Sequence, residues 1–198
     1  MSRVSTATPL WVKLALAAAG AAFLAWWVVQ RADRIGNEHR LAVIASQIAG
    51  RDVEVRCPGA IWRAIGYDSA SGTVRFDENM KPSDKTKLAA ETCDELDALA
   101  EGHRAKELEC IGRAKVLCGR HGAAVAMAVD TLTHESFHLR GIANEADTEC
   151  HSLHAMAWTA QQFGATAEQG TAMALAQYDG PYQEMGDAYR GPCERPDG

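Results

Sequence analysis

The chain of 198 residues has no run of basic residues, and its 20 Lys plus Arg are outnumbered by 26 Asp plus Glu, for a formal charge of −6. Nucleic acid as the main partner needs a clustered positive surface, so that class is excluded. There is no internal repeat and no low-complexity tract beyond one alanine-rich stretch, which leaves no solenoid or disordered tail to explain. None of the six cysteines forms a CxxC pair, and none precedes residue 57. The first thirty residues contain no acid at all, only Arg3 and Lys13 as charges. Subtracting those two from 20 leaves 18 basic and 26 acidic residues, or −8, on residues 31–198. The chain is therefore two unlike pieces.

The first piece holds the long apolar run. Leu14 to Gln30 carries no charge, and extending it back across Lys13 to Leu10 gives about 20 residues, roughly 30 Å as a helix, enough to cross a bilayer core. Lys13 lies near one end, where its stem can snorkel to the headgroups. Trp11 at one end and Trp26 and Trp27 at the other suit the two interfaces. The small-residue triplets fall inside the run, where a signal-peptidase site is badly placed, and the run has no polar face for a soluble helix. Residues 1–9 then read as a short tail, 10–30 as a transmembrane anchor embedded in the lipid bilayer, and 31–198 as the functional domain. Basic residues flank the run on both sides and do not orient it. The even number of cysteines after the anchor does: Cys57, Cys93, Cys110, Cys118, Cys150 and Cys193 read as up to three disulfides. The expected placement is a single-pass cell-membrane protein with its C-terminal domain extracytoplasmic.

Within that domain the fold class expected is mainly α with a small β-sheet. Leu41, Ile44 and Ile48 predict a helix over Asn37–Gly50. The alternation of 52–57, ended by Pro58-Gly59, predicts a strand. Ala60–Tyr67 and Thr73–Phe76 flank a turn-rich loop and suggest a hairpin. Ser83 is expected to cap a helix running to about Gly102. Further helices are expected over His103–Cys118, Ala123–Arg140, Glu145–Phe163 and Thr166–Tyr178, each stopped by glycine or proline, with an irregular tail beyond.

The segment that carries chemistry is Thr133-His134-Glu135-Ser136-Phe137-His138-Leu139-Arg140-Gly141, followed by Asn144-Glu145-Ala146-Asp147-Thr148-Glu149-Cys150. It contains HExxH. Two His at i and i+4 project from one helix face, one turn apart, and can reach one Zn²⁺. The intervening Glu135 lies roughly 100° round the helix, near the metal without binding it, where it can accept a proton from water. Catalytic zinc commonly takes a third protein ligand. Gly141 lets the helix end and turn back at once, and Glu145 and Glu149 then share a face of the next helix.

This segment resembles the second motif of the gluzincin metallopeptidases, the thermolysin-like group, in which a G-x-x-N-E-x-x-S-D pattern follows HExxH. The resemblance covers about 16 residues, with no similarity over the rest of the chain, and it implies a zincin-like helical fold. It implies zinc as cofactor, Glu145 as third ligand and Glu149 as the acid that hydrogen-bonds a zinc-bound His, with Thr148 where that family has Ser. The spacer from His138 to Glu145 is shorter than in that group. Up to Gly141 the segment also resembles the metzincin pattern HExxHxxGxxH, with Asn144 where the third His would stand. Glu149 therefore stays open as an alternative third ligand.

The helical period turns His151 and His154 away from the metal face. Tyr178, Tyr182, Tyr189 and Arg140 are candidates to stabilise an oxyanion. Cys150 either joins a disulfide or closes the metal site as a fourth ligand, and five other cysteines favour the disulfide. The function expected is a zinc metallopeptidase acting on a peptide or protein substrate near the membrane, with His134, His138 and Glu145 holding metal and Glu135 as catalytic base. The alternative is a non-catalytic zinc- and disulfide-stabilised envelope interaction module. A third is a disulfide-stabilised envelope protein without metal.

Overall fold

The computed structural model describes residues 9–59 and 72–196. The chain divides into two compact units, residues 1–36 and 37–198. One helix, α1 (Leu10–Ala49), supplies the first unit and continues into the second. In the first unit the large apolar side chains Leu14, Phe23, Leu24, Trp26 and Val29 are exposed. α1 is long and apolar enough to span a membrane. At the end of the run the Arg31 guanidinium lies 5.3 Å over the Trp27 ring, a cation–π contact.

The second unit is mainly helical with a three-stranded sheet. From Asn37 onward α1 buries Leu41, Ile44, Ala45 and Ile48, spaced as one helical stripe. The strands are β1 (Glu54–Arg56), β2 (Gly72–Phe76) and β3 (Pro82–Leu88). Their order is β1-β3-β2, with β1 parallel and β2 antiparallel to the central β3. Val55 and Val74 both stand opposite Thr86 and line the inner face with it. Lys85 and Lys87 face outward and are exposed.

The helix expected from Ser83 is corrected here. Residues 82–88 form the central strand, and helix α2 (Ala90–Ala100) begins only afterwards, without a side-chain cap. Thr86 and Leu88 are buried while Lys85 and Lys87 are exposed, and pairing on both edges overrides the local helix preference of Lys-Thr-Lys-Leu. The proposed hairpin arm over 60–67 lies outside the described residues. The helix expected over 103–118 is shorter: α3 covers Ala105–Ala114 and stops at Lys115, whose φ is 55°. A helix continued to Cys118 would hold residues 110 and 118 about 12 Å apart, too far for a disulfide. Here the two are bonded, with Cα atoms 6.1 Å apart.

The remaining helices are α4 (Gly119–Arg140), α5 (Glu145–Gln162), α6 (Ala167–Asp179) and α7 (Pro181–Glu184). α4 is central. It touches α2, α3, α5, α6 and strands β2 and β3, so every residue from Leu132 to Leu139 is buried. That enclosure explains why its sequence lacks a clear polar face. Arg51, just after α1, fixes its C-terminal end: Nε and Nη2 donate to the Leu139 carbonyl at 3.1 and 3.0 Å. Nη2 also donates to the Ser83 carbonyl at 2.6 Å, tying β3 to the same point.

All six cysteines are paired, as Cys57–Cys93, Cys110–Cys118 and Cys150–Cys193. They join β1's end to α2, α3 to the start of α4, and α5 to the tail. Closing loops of this length contributes about 2–4 kcal/mol each through the unfolded chain. Thiol titration of the unfolded, unreduced protein is therefore expected to find no free thiol. Six titratable thiols in material made in an oxidising compartment would contradict the pairing.

Candidate metal centre

The centre is built from the end of α4 and the start of α5. α4 stops at Gly141, whose φ of 113° is accessible to Gly at little cost. Gly141 N–H donates to the His138 carbonyl and Ile142 N–H to the Phe137 carbonyl, which closes the helix and reverses the chain. Asn144 then caps α5, its side chain accepting from Asp147 N–H at 2.9 Å. Glu145 is thus the first residue of α5 and faces back on α4.

Three atoms converge. His134 Nε2 and His138 Nε2 are 3.0 Å apart, and Glu145 Oε2 lies 3.0 Å from the first and 3.2 Å from the second. His134 and His138 are buried, whereas the Glu145 side chain is 40% exposed, so the cluster meets solvent on the Glu145 side. The far ring nitrogens are committed elsewhere. His138 Nδ1 lies 2.7 Å from the Ile142 carbonyl, which can only accept, so Nδ1 carries a proton. His134 Nδ1 lies 2.9 Å from Glu149 Oε2, also an acceptor. An imidazole protonated at Nδ1 and otherwise neutral has a bare Nε2. Two lone pairs and a carboxylate oxygen then face one another with no proton between them, an arrangement that calls for a cation.

In the metal-free molecule a proton can take that place at His134. Burial disfavours its charge, but the hydrogen bond and charge of Glu149, with the charges of Asp130 and Glu135, outweigh burial and push its pKa up to about 9. One proton serves one neighbour at a time; a metal ion meets all three. A tetrahedral zinc with bonds of about 2.0–2.1 Å requires ligand atoms about 3.3–3.4 Å apart. The observed separations of 3.0–3.2 Å are close to that, and two imidazoles with a carboxylate are a donor set zinc accepts.

Glu149 lies on the Nδ1 side of His134, away from the three converging atoms. The geometry groups Glu145, and not Glu149, with the two His. Glu135 is buried against the sheet. Its Oε2 is 3.3 Å from the Thr86 hydroxyl, and burial pushes its pKa up to about 7. Gly72 of β2 closes over it: a Cβ there would fall 2.5 Å from Glu135 Cγ, so the approach requires glycine. Phe76, at the other end of β2, packs edge-on to the His138 ring at 5.9 Å.

Of the candidate oxyanion groups, Tyr178 and Tyr182 donate their hydroxyls to the Cys193 and Gly191 carbonyls and hold the tail down. Tyr189 stands apart: its ring lies 6.2 Å from that of His134. The nearby carboxylate of Glu145 first, then burial, raises its pKa. Arg140 is exposed. His151 stacks on Phe137 at 5.2 Å, away from the centre. Cys150 is not a fourth ligand, because its sulfur is bonded to Cys193. The proximity of His154 to that pair therefore makes no metal site.

Sequence reading missed Thr86, Gly72 and a buried trio behind Glu149: Asp130, Ser152 and Gln177. Asp130 had a signal, an acid in the apolar run Ala-Met-Ala-Val one turn before His134. Gly72 and Thr86 had none, since only the sheet brings them to Glu135. Burial first, then Glu149, pushes Asp130 up to about 8. Asp130, Glu135 and His134 all titrate higher than the ordinary 3.8, 4.5 and 6.5. The folded metal-free protein thus holds more protons than the unfolded chain, and it loses stability as pH rises from about 4 towards 9. Its thermal midpoint is expected to be lower at pH 9 than at pH 5, with the slope flattened by Asp130→Asn. A midpoint that climbs over that range would contradict these shifts.

Comparison with protein-family models, with curated proteins and with solved structures finds no match for this chain.

Proposed function

We propose that the chain is a membrane-anchored zinc-dependent peptidase, with residues 10–30 in the bilayer and the second unit on the extracytoplasmic side. Its substrate is a peptide or protein near that membrane. The observation that carries this reading is the convergence of two imidazole nitrogens and the Glu145 carboxylate, with Glu135 buried beside them. The three disulfides support the oxidising side of the membrane.

His134, His138 and Glu145 would hold the metal. Zinc bound there supplies Lewis acidity, which makes water a nucleophile near neutral pH and polarises a carbonyl. Glu149 and the Ile142 carbonyl keep a proton on each Nδ1 and so keep both Nε2 atoms free to ligate. Glu135 accepts a proton from the attacking water and returns it to the leaving amine. Its place beside the ligands, enclosed by Thr86, suits both halves of that task. Gly72 and Thr86 shield it from bulk solvent. A purely structural site has no use for a carboxylate at this place.

The test is cleavage of a broad peptide library by the full-length protein in detergent. Cleavage that disappears with a chelator and returns with zinc is the expected result. A zinc-loaded protein that cleaves nothing would favour the interaction module.

A further inference from the structure

Behind Glu149 lies a buried polar group that peptide hydrolysis as described leaves unused. Glu149 reaches His134 through Oε2 alone; its other oxygen, Oε1, is buried and has no hydrogen-bond partner. A buried acceptor left so is destabilising. Next to it is Asp130, 5% exposed and one turn before His134 on α4. Asp130 Oδ1 accepts from the Ser152 hydroxyl at 2.5 Å and Oδ2 from Gln177 Nε2 at 3.1 Å. Ser152, which holds Asp130, stands one turn after Glu149 on α5, so the two buried carboxyls are neighbours, and the charge of Glu149 helps to raise the Asp130 pKa. Two adjacent buried carboxylates repel, and no Lys or Arg pairs with either among the described residues. One proton resolves both problems.

We propose that Asp130 is a positioning residue: as a neutral acid it donates a hydrogen bond to Glu149 Oε1, and through Glu149 it aims the His134 ring at the metal. The inference rests on the metal-centre reading above. Ser152 from α5 and Gln177 from α6 hold the Asp130 carboxyl in place, so three helices meet at one proton. With both oxygens engaged, Glu149 cannot rotate, and the Nδ1–H of His134 has a single fixed acceptor. That leaves Nε2 bare and pointed at His138 and Glu145. The burial that holds Asp130 protonated to about pH 8 is consistent with the donor role.

The variants are Asp130→Asn, which keeps a donor and an acceptor in the same shape, and Asp130→Ala, which keeps neither. Two readouts on the full-length protein in detergent decide: zinc affinity by chelator competition, and the slowly exchanging His134 Nδ1–H proton of the metal-free protein by NMR. Asp130→Asn should bind zinc within about threefold of wild type and keep the proton signal. Asp130→Ala should bind roughly 10–100-fold more weakly, the range seen when groups behind a metal ligand are removed, and lose the signal. If Asp130→Ala does not fold, Gln177→Met, which removes one of the groups holding Asp130, takes its place with a smaller loss in the same direction. A folded Asp130→Ala or Gln177→Met with wild-type affinity and an intact signal overturns the proposal, as does a tenfold loss in Asp130→Asn. Wild type that takes up no zinc removes the metal reading instead. The proton signal then still decides whether Asp130 positions His134.

Discussion

Glu135→Gln is expected to lower peptide cleavage about 10²–10⁴-fold while zinc occupancy stays at the wild-type level. The amide has nearly the carboxylate's volume and fills the same space between Gly72 and Thr86. It cannot accept a proton from the attacking water. Glu135 is not among the three converging atoms, so its replacement leaves the ligands untouched. Stability should hold or rise slightly above pH 7, because a carboxyl pushed up to about 7 by burial no longer has to ionise. The assay is kcat/KM on one good library peptide, with zinc measured on the same sample. Loss of zinc, or unfolding, in this variant would return Glu135 to a structural role.

The second large effect is on metal itself. His134→Ala and His138→Ala should each lose most of the zinc, since two remaining ligands do not make a closed site. Metal that binds only the folded state stabilises it by about 4 kcal/mol at a thousandfold excess over Kd, so wild type should gain thermal stability on zinc addition and neither variant should. The two are not equivalent without metal. His134→Ala strips the buried Glu149 carboxylate of its charged partner, a loss of about 3 kcal/mol or more. His138→Ala frees the Ile142 carbonyl, which Thr148 still reaches at 3.3 Å, and the part-exposed Glu145 carboxylate, which His134 and solvent still reach. The metal-free His134→Ala protein should therefore be the less stable of the pair by differential scanning calorimetry. Equal midpoints would argue that Glu149 does not depend on His134.

The centre was legible in the sequence because it is local. His134 and His138 share one turn, Gly141 ends that helix, and Glu145 and Glu149 begin the next, so helical period and capping chemistry place all five without tertiary information. The order of the later helices and the ends of α4, α5 and α6 were legible for the same reason, each followed by glycine, whereas α4 starts at Gly119 rather than the expected Ala123 and runs through Gly122, one of the two glycines expected to end the helix before it. The sheet was not. Residues 82–88 have helix-compatible chemistry, and only β1 and β2 on either side make them a strand. Gly72, Thr86 and the cover over Glu135 were lost with it. The cysteine count implied disulfides, but which pairs form depends on helix packing: Cys150 meets Cys193 only because the tail returns across α6 and α7. Asp130, Ser152 and Gln177 sit on three helices, and their meeting follows from packing alone.

The most direct measurement is anomalous diffraction at the zinc edge from crystals of the zinc-loaded protein. One strong peak per chain, flanked by His134 Nε2, His138 Nε2 and a Glu145 oxygen, with Glu149 on the far side of the His134 ring, is the predicted result. A peak at any other group of side chains, or none between these three residues, would contradict the account.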